Sequence, residues 1–319
     1  MYAGVSHRMV ILAGGSNFPV PAREGGAKTY ATRIYVRPVD ASSEAGWQSQ
    51  DTKLPQGLSE GASLTTPYGV IGVGGQSTAG PVDDVFLLAW DAAHATVHRQ
   101  TLPKLPQPCA NAAAAVCGDH LYVAGGDDNR AGLSCFRRLP LAAALAAPEQ
   151  TTWEALPAWP GPPRFGAMLA MVRVDGRDQL LLCGGRTRVT APVVAADYLS
   201  DAYLYDPAKA QWAAAIAMPH PALLAVTLRP DASHLAILGG SDGHDIERMR
   251  ELGANYRLPN RIMIYDATAD AWQVKGVMPL GVAGATVVEL GAGWLVVGGE
   301  YSPGLRTPHV YRVAVEDRP

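Results

Sequence analysis

The chain has 319 residues, of which 48% are hydrophobic and 17% are charged, and its formal net charge is −3. This near-neutral charge argues against a strongly basic surface, so we expect no nucleic acid partner. No segment approaches the ~20 consecutive apolar residues of a membrane-spanning helix, and the N-terminal apolar run is too short for a secretory signal. We therefore expect no membrane partner.

The four cysteines, Cys109, Cys117, Cys135 and Cys183, show no metal-binding or redox spacing and stand in apolar, strand-like segments. Such positions are typical of small core residues in a reducing compartment. The sequence therefore predicts a cytoplasmic protein whose cysteines form no disulfides.

Paired glycines end a short apolar run six times along the chain, and each run is typical of a buried strand. Successive pairs are 60, 51, 59, 55 and 59 residues apart, which indicates one repeat throughout the sequence. The pairs are Gly14-Gly15, Gly74-Gly75, Gly125-Gly126, Gly184-Gly185, Gly239-Gly240 and Gly298-Gly299.

Each repeat also carries three further strand signals around the glycine pair. A strand of small residues precedes the apolar run, a strand with Tyr follows the pair, and a strand with Trp ends the repeat. In the best-preserved copies, Trp212 and Trp272 stand seven residues after Tyr205 and Tyr265. Small side chains suit an inner strand near a narrow axis, whereas Tyr and Trp further out can pack one blade on the next. Four strands per repeat therefore predict a propeller.

The order Gly-Gly, Tyr, Trp and Met-Pro, the last seen at Met218-Pro219, resembles that of Kelch repeats, for which a period near 50 is expected. The resemblance covers nearly the whole chain. It implies an all-β, six-bladed Kelch-type β-propeller with four antiparallel strands per blade, forming one domain over residues 1–319. The blades would begin near residues 1, 57, 108, 161, 220 and 280.

The last blade departs from this pattern. After the strand around Tyr311 only residues 316–319 remain, which is shorter than a usual strand and ends in proline. Because the N-terminal residues already form the inner strand of the first blade, we predict a three-stranded sixth blade and 23 blade strands in all. The open edge would invite pairing with a second copy of the chain. Alternatively, the natural chain starts upstream of Met1 and supplies the missing strand.

Loops that follow the glycine pairs and the Met-Pro positions open on one face of a propeller, which we call the first face. There the final repeat reads Gly299-Glu300-Tyr301-Ser302-Pro303-Gly304-Leu305-Arg306, with a carboxylate directly after the glycines and an arginine six residues on. The fourth repeat adds Pro162-Pro163-Arg164, and the first adds Asn17-Phe18-Pro19 after its glycines.

Together these segments resemble the N-acetylneuraminate mutarotase (sialic acid epimerase) family, in which a glycine–Glu–x(2)–Pro-Gly-Leu-Arg segment carries the proposed catalytic pair. Their order is similar to that of the family's cyclically permuted branch. The resemblance implies an isomerase that interconverts the anomers of N-acetylneuraminate, an acidic sugar, without cofactor or metal. Glu300 and Arg306 would be catalytic, and Arg164 and Asn17 are candidate substrate-binding residues.

The residue types suit this chemistry. Interconversion of the anomers of a 2-keto sugar acid needs a base for the anomeric hydroxyl and an acid for the ring oxygen. A carboxylate such as Glu300 can shuttle that proton. The planar guanidinium of Arg306 can hold the sugar carboxylate through two parallel hydrogen bonds.

Other interpretations stay open. Glu300 and Arg306 could form an ion pair that braces a loop, Arg164 could brace blade packing, and Asn17 could cap its own turn. A non-catalytic Kelch module for a protein or glycan is the main alternative. A copper radical oxidase would need two His, two Tyr and a Cys, but only His244 lies clearly in a first-face loop. A concave pocket containing Glu300 and Arg306 would favour the enzyme, and a flat apolar rim the module.

The fifth repeat contains the longest excursion, residues 241–253. Ile246, Met249 and Leu252 form an apolar stripe in it, and Gly253 suits a helix end. The spacing predicts a short helix over the first face, either as a lid or as decoration.

Overall fold

The computed structural model describes residues 1–42, 44–187, 189–291 and 293–315. In this part of the chain, 23 strands form six antiparallel sheets, five with four strands and one with three. The sheets are the blades of a six-bladed β-propeller, so the predicted all-β class and blade number are confirmed.

Within each blade the strands follow chain order from the axis to the rim. Blade by blade, they are Tyr2–Ser6, Met9–Ala13, Arg33–Pro38 and Gln48–Lys53; Ala62–Thr66, Gly69–Val73, Val85–Asp91 and Thr96–Thr101; Ala113–Cys117, His120–Ala124, Phe136–Pro140 and Glu154–Ala155; Met168–Val174, Arg177–Cys183, Ala202–Asp206 and Gln211–Ala215; Val226–Leu228, His234–Leu238, Arg261–Asp266 and Ala271–Val277; Thr286–Glu289, Trp294–Val297 and Val310–Val313.

Short ribbons and helices decorate the blades. The ribbons pair Ser16–Asn17 with Thr29–Tyr30, Gln76–Ser77 with Gly80–Pro81, and Glu300–Ser302 with Leu305–Arg306. The α-helices are Leu141–Ala146 and Met249–Leu252, and the 3-10 helices are Ala22–Glu24, Pro148–Gln150, Ala195–Asp197, Ile246–Arg248 and Gly253–Asn255.

The short helix expected in the fifth repeat is therefore present. Ile246 anchors it on the first face by packing against Phe165, Tyr198 and Leu223.

The glycine pairs join neighbouring blades through backbone hydrogen bonds. The N–H of Gly126 donates to the carbonyl of Arg164 at 3.0 Å, just before the inner strand of the next blade. Gly125 has a φ of +63°, and a Cβ there would collide with the same carbonyl oxygen. Only glycine adopts this positive φ at low cost and also has no Cβ to collide with the neighbouring blade. The same contact recurs in four other blades, for example from Gly15 to Leu58 at 2.8 Å. The repeated pair is thus a docking element between blades.

The Tyr and Trp strands also connect the blades, as predicted. Tyr205 lies opposite Trp212 with ring centres 5.0 Å apart, and the indole Nε1 of Trp212 donates to the carbonyl of Pro157 in the preceding blade at 2.8 Å. The indole Nε1 of Trp272 donates in the same way to Ile216 at 3.0 Å. Each aromatic pair therefore fills space within one blade and ties it to its neighbour.

The ring closes between the first and sixth blades. Ala3 and Leu12 of the first blade share an apolar cluster with Val288 and Val297 of the sixth. Among the described residues the sixth blade has three strands, which agrees with the predicted three-stranded blade and total of 23. Residues 316–319, on which that prediction also depended, lie outside the described residues. Pairing of the Val310–Val313 edge with another copy stays a prediction.

All four cysteines are free thiols, and three of them are buried. Burial raises the pKa of Cys109 and of Cys183 to about 12, so neither is a thiolate at neutral pH. The predicted role of these cysteines as small core residues fits this placement. Across the ranges that the structure describes, no helix has the length and apolar character to cross a membrane.

Candidate functional site

A central cavity of about 690 Å³ lies on the propeller axis. Its walls are the inner strands of the blades, with many small residues such as those of segments 112–115 and 283–285. At the first-face end the wall carries four charged side chains, Lys28, Glu60, Glu300 and Arg306. The volume falls within the roughly 300–1,000 Å³ of small-molecule sites, and such sites combine apolar walls with a few convergent polar groups.

A two-stranded hairpin positions Glu300 and Arg306. The two residues are cross-strand partners, so their side chains emerge side by side. The backbone of Glu300 exchanges hydrogen bonds of 2.8 and 2.9 Å with Ala283, which fixes the hairpin against the inner-strand entry of its blade. The turn contains Gly304 with φ +72°, and the packing of Ala22 against it leaves no room for a Cβ. Close backbone packing therefore holds the pair in the cavity wall.

The carboxylate of Glu300 and the guanidinium of Arg306 are 3.9 Å apart, with 32% and 26% of their side chains exposed. Burial raises the pKa of the Glu300 carboxyl, and the negative charge of Glu60 adds to this effect. The charges of Arg306 and Lys28 and the N–H of Gly304 act in the opposite direction. A raised carboxyl pKa brings the group closer to exchanging protons at neutral pH.

Arg306 has hydrogen-bonding capacity that the described protein atoms do not use. Its buried Nε has no partner among the described residues. Its guanidinium lies 5.8 Å from the ring centre of Phe18, and the Nζ of Lys28 lies at the same distance from that ring. The two cations therefore lie near the same aromatic ring, and both line the cavity, an arrangement suited to an anionic ligand.

Two further charged residues of the cavity wall, Lys28 and Glu60, belong to no motif of the sequence. Lys28 Nζ donates to Glu60 Oε1, and both side chains are about three-quarters buried in the cavity wall. Lys28 stands in the loop between the glycine pair and the Tyr strand of the first blade, where its neighbours form no recognisable motif. Spatial proximity alone links it to the site.

Glu60 belongs to a ring of five equivalent residues, one before each inner strand from the second blade to the sixth. They are Glu60, Asn111, Gly166, Leu224 and Gly284, and all have φ between +51° and +63°. Each N–H from Asn111 onward donates to the carbonyl of the preceding member at 2.7–2.8 Å. We call these five residues the axial ring. If the repeats are aligned at this position, Glu60 is the one charged residue of the axial ring.

Arg164 does not line the cavity. Its side chain is completely buried and forms two short hydrogen bonds, 2.7 and 2.6 Å, with the carboxylate of Asp201. It also donates to the carbonyl of Gly184 at 3.0 Å and stacks between the rings of Trp159 and Tyr203. This placement favours the alternative that Arg164 braces blade packing, because its guanidinium has internal partners, and substrate contact by Arg164 stays a prediction. These contacts brace the packing of blades three and four.

Asn17 lies in the Ser16–Asn17 ribbon with an exposed side chain, and it is absent from the residues that line the cavity. Its backbone carbonyl accepts a bond from Thr29 Oγ1 at 3.3 Å. The structure thus brings together Glu300 and Arg306 but neither Arg164 nor Asn17. The catalytic roles of the first two remain predictions.

Known proteins of related sequence support the Kelch-type fold. A family model described as Kelch motif matches residues 108–139. A protein of Yersinia pestis (strain Pestoides F) named N-acetylneuraminate epimerase is 27% identical over 239 residues, which are 67% of this chain and 58% of the relative. Proteins of the same name from Salmonella enteritidis PT4 and Vibrio cholerae El Tor are 28% identical over 235 residues and 33% identical over 103 residues.

The matches cover 66% of this chain and 58% of the relative for the Salmonella protein, and 29% and 25% for the Vibrio protein. The chain thus spans less than two thirds of the length of the curated relatives that it matches. The cyclically permuted order stays a prediction. The six blades, the Kelch-motif match and the relatives that share one name all indicate the same likeness. The chain is similar to Kelch-repeat proteins named N-acetylneuraminate epimerase.

Proposed function

We propose that this protein is an isomerase, a mutarotase that interconverts the α and β anomers of N-acetylneuraminate by acid/base ring opening. The observation that carries the proposal is the placement of Glu300 beside Arg306 in the wall of a cavity of about 690 Å³. The name shared by the relatives supports the choice of sugar. A concave site with both residues also favours an enzyme over a Kelch module that grips a protein partner.

In the proposed reaction, the Glu300 carboxylate takes the proton of the anomeric hydroxyl. The electron pair of that O–H bond forms the carbonyl, and the bond from the anomeric carbon to the ring oxygen breaks. The ring oxygen keeps the bonding pair and receives a proton from Glu300, which yields the open-chain keto acid. Rotation beside the carbonyl and reversal of these steps close the ring as the other anomer. Positioned proton transfer of this kind contributes ~10²–10⁴-fold.

Arg306 holds the sugar carboxylate in this proposal. About 26% of its side chain is exposed in the cavity wall, which gives the planar guanidinium room for a two-point contact. Lys28, whose Nζ also lies 5.8 Å from the centre of the Phe18 ring, adds a second positive charge near the same anion. Anchoring of the carboxylate sets the anomeric centre at a fixed distance from Glu300. No cofactor enters the scheme.

We further propose a cytoplasmic location, which the four free thiols support.

The test is NMR exchange between the anomer signals of N-acetylneuraminate with and without protein. We expect the wild type to accelerate exchange and Glu300→Gln to lower kcat by ~10²–10⁴-fold, because glutamine keeps the shape but cannot carry the proton. Glu289→Gln is the matched control, since Glu289 lines the opposite end of the same cavity. Exchange at the spontaneous rate in the presence of wild-type protein would contradict the proposal.

A further inference from the structure

Two carboxylates and two cations share the first-face end of the cavity, yet the scheme above uses only one carboxylate. Glu60 is the second, and it lies close enough to Glu300 for its negative charge to raise the pKa of that carboxyl. Lys28 donates to Glu60 from one side, so the Glu60 charge is balanced locally. About 23% of the Glu60 side chain remains exposed, and Glu60 lines the cavity together with Glu300.

The backbone at Glu60 does not explain why a carboxylate stands at this position. Glu60 has φ +58°, a left-handed conformation that costs a non-glycine residue of order 1 kcal/mol. Gly166 and Gly284 occupy equivalent positions of the axial ring, so glycine serves the ring equally well there. Asn111 and Leu224 hold the same conformation, so the ring also accepts side chains of other kinds. The carboxylate of Glu60 is therefore not required by the backbone geometry.

We propose that Glu60 is a second catalytic carboxylate, which exchanges the proton of the anomeric hydroxyl while Glu300 serves the ring oxygen. This inference rests on the proposed mutarotase function and deepens it. Two residues then share the proton transfers that Glu300 alone would have to perform in sequence. Lys28 is a positioning residue, because its Nζ donates to Glu60 Oε1 and holds that carboxylate in the cavity wall.

The step balances without any further reactant. In this scheme Glu60 starts the step without a proton and Glu300 starts it with one. Glu60 accepts the hydroxyl proton, the carbonyl forms, the ring C–O bond breaks, and the ring oxygen receives the proton of Glu300. After rotation, Glu300 takes that proton back as the ring oxygen attacks the carbonyl, and Glu60 returns its proton to the carbonyl oxygen. Both residues regain their starting states.

The experiment compares Glu60→Gly with the wild type, because glycine suits φ +58° and leaves a space where the carboxylate stood. We expect kcat for anomer exchange to fall by ~10²-fold or more. The dissociation constant for N-acetylneuraminate, from NMR titration, should change by less than about threefold, because Arg306 still holds the carboxylate. Formate should restore part of the lost rate by filling the space with a small carboxylate. Glu289→Gln is again the matched control.

Each outcome is decisive. An active wild type together with an equally active Glu60→Gly variant would overturn the inference and leave the mutarotase proposal standing. A loss of rate that parallels a loss of binding and does not respond to formate would also overturn it, since Glu60 would then be structural. A wild type that does not accelerate exchange would overturn the proposed function and this inference with it. If Glu60→Gly does not fold, Glu60→Gln is measured instead, and a kcat equal to that of the wild type would contradict the role.

Discussion

Replacement of Arg164 by methionine separates a bracing residue from a substrate-binding residue. The change removes two short, charge-assisted hydrogen bonds to Asp201 and two bonds to backbone carbonyls, those of Gly184 and Pro162. Methionine keeps apolar contact with Trp159 and Tyr203 and avoids an empty cavity. The main loss is therefore electrostatic.

The size of the loss follows from the burial of the two partners. Hydrogen bonds to charged groups contribute ~1.5–3 kcal/mol each, and removal of one member of a buried ion pair costs ~3–5 kcal/mol. Asp201 is 31% exposed and keeps the bond from the Tyr203 hydroxyl, so water and Tyr203 compensate part of the loss. We expect the free energy of unfolding to fall by about 3 kcal/mol, or Tm by roughly 6 °C at about 2 °C per kcal/mol.

The assay pairs thermal unfolding with anomer exchange, and Arg138→Met is its control. Arg138 also forms two hydrogen bonds with a carboxylate, that of Glu154, but 53% of the Glu154 side chain is exposed. Exposed pairs contribute ~0–1 kcal/mol, so Arg138→Met should lower Tm by no more than about 2 °C. For Arg164→Met we expect KM and kcat per folded molecule within about twofold of the wild type. An unchanged Tm with a raised KM would refute this reasoning and restore Arg164 as a substrate contact.

Three further predictions concern Arg306, Glu300 and the glycine pairs. Arg306→Lys keeps the charge but loses the planar guanidinium, so we expect KM for N-acetylneuraminate to rise by about tenfold. In the same exchange assays, the preference for N-acetylneuraminate over its neutral methyl ester should become smaller. Burial raises the pKa of Glu300, so its stabilising effect is present below the ordinary glutamate pKa and lost as pH rises through the raised value. At pH values above that window, Glu300→Gln should therefore raise Tm. At pH values below it, the substitution should leave Tm unchanged. Gly125→Ala should lower the free energy of unfolding in urea by at least ~3 kcal/mol, because the added Cβ would collide with the next blade. Gly118→Ala is the control: Gly118 has φ +58° but open space around it, so we expect a loss of only ~1–2 kcal/mol.

The sequence by itself determined the blade number, the strand order and one half of the candidate site. Gly125-Gly126 and its counterparts recur because one backbone contact between blades recurs, and that contact tolerates no side chain. Tyr205 and Trp212 are readable because they are neighbours across one hairpin, where their separation along the chain is short. Glu300 and Arg306 were found for the same reason, since a single hairpin carries both. Features of this kind depend on local spacing, which the sequence displays directly.

Only the tertiary structure decided which distant residues meet at the axis. Arg164 has the position of a first-face residue in the repeat, but Asp201, 37 residues further on, takes its guanidinium into the core. Lys28 and Glu60 come from different blades and form a pair that no motif announces. A charged side chain is directed by the partner that compensates its desolvation, and that partner is set by long-range packing. Spacing within a repeat can place such a residue on a face, but the three-dimensional contact decides whether it faces the cavity or the core.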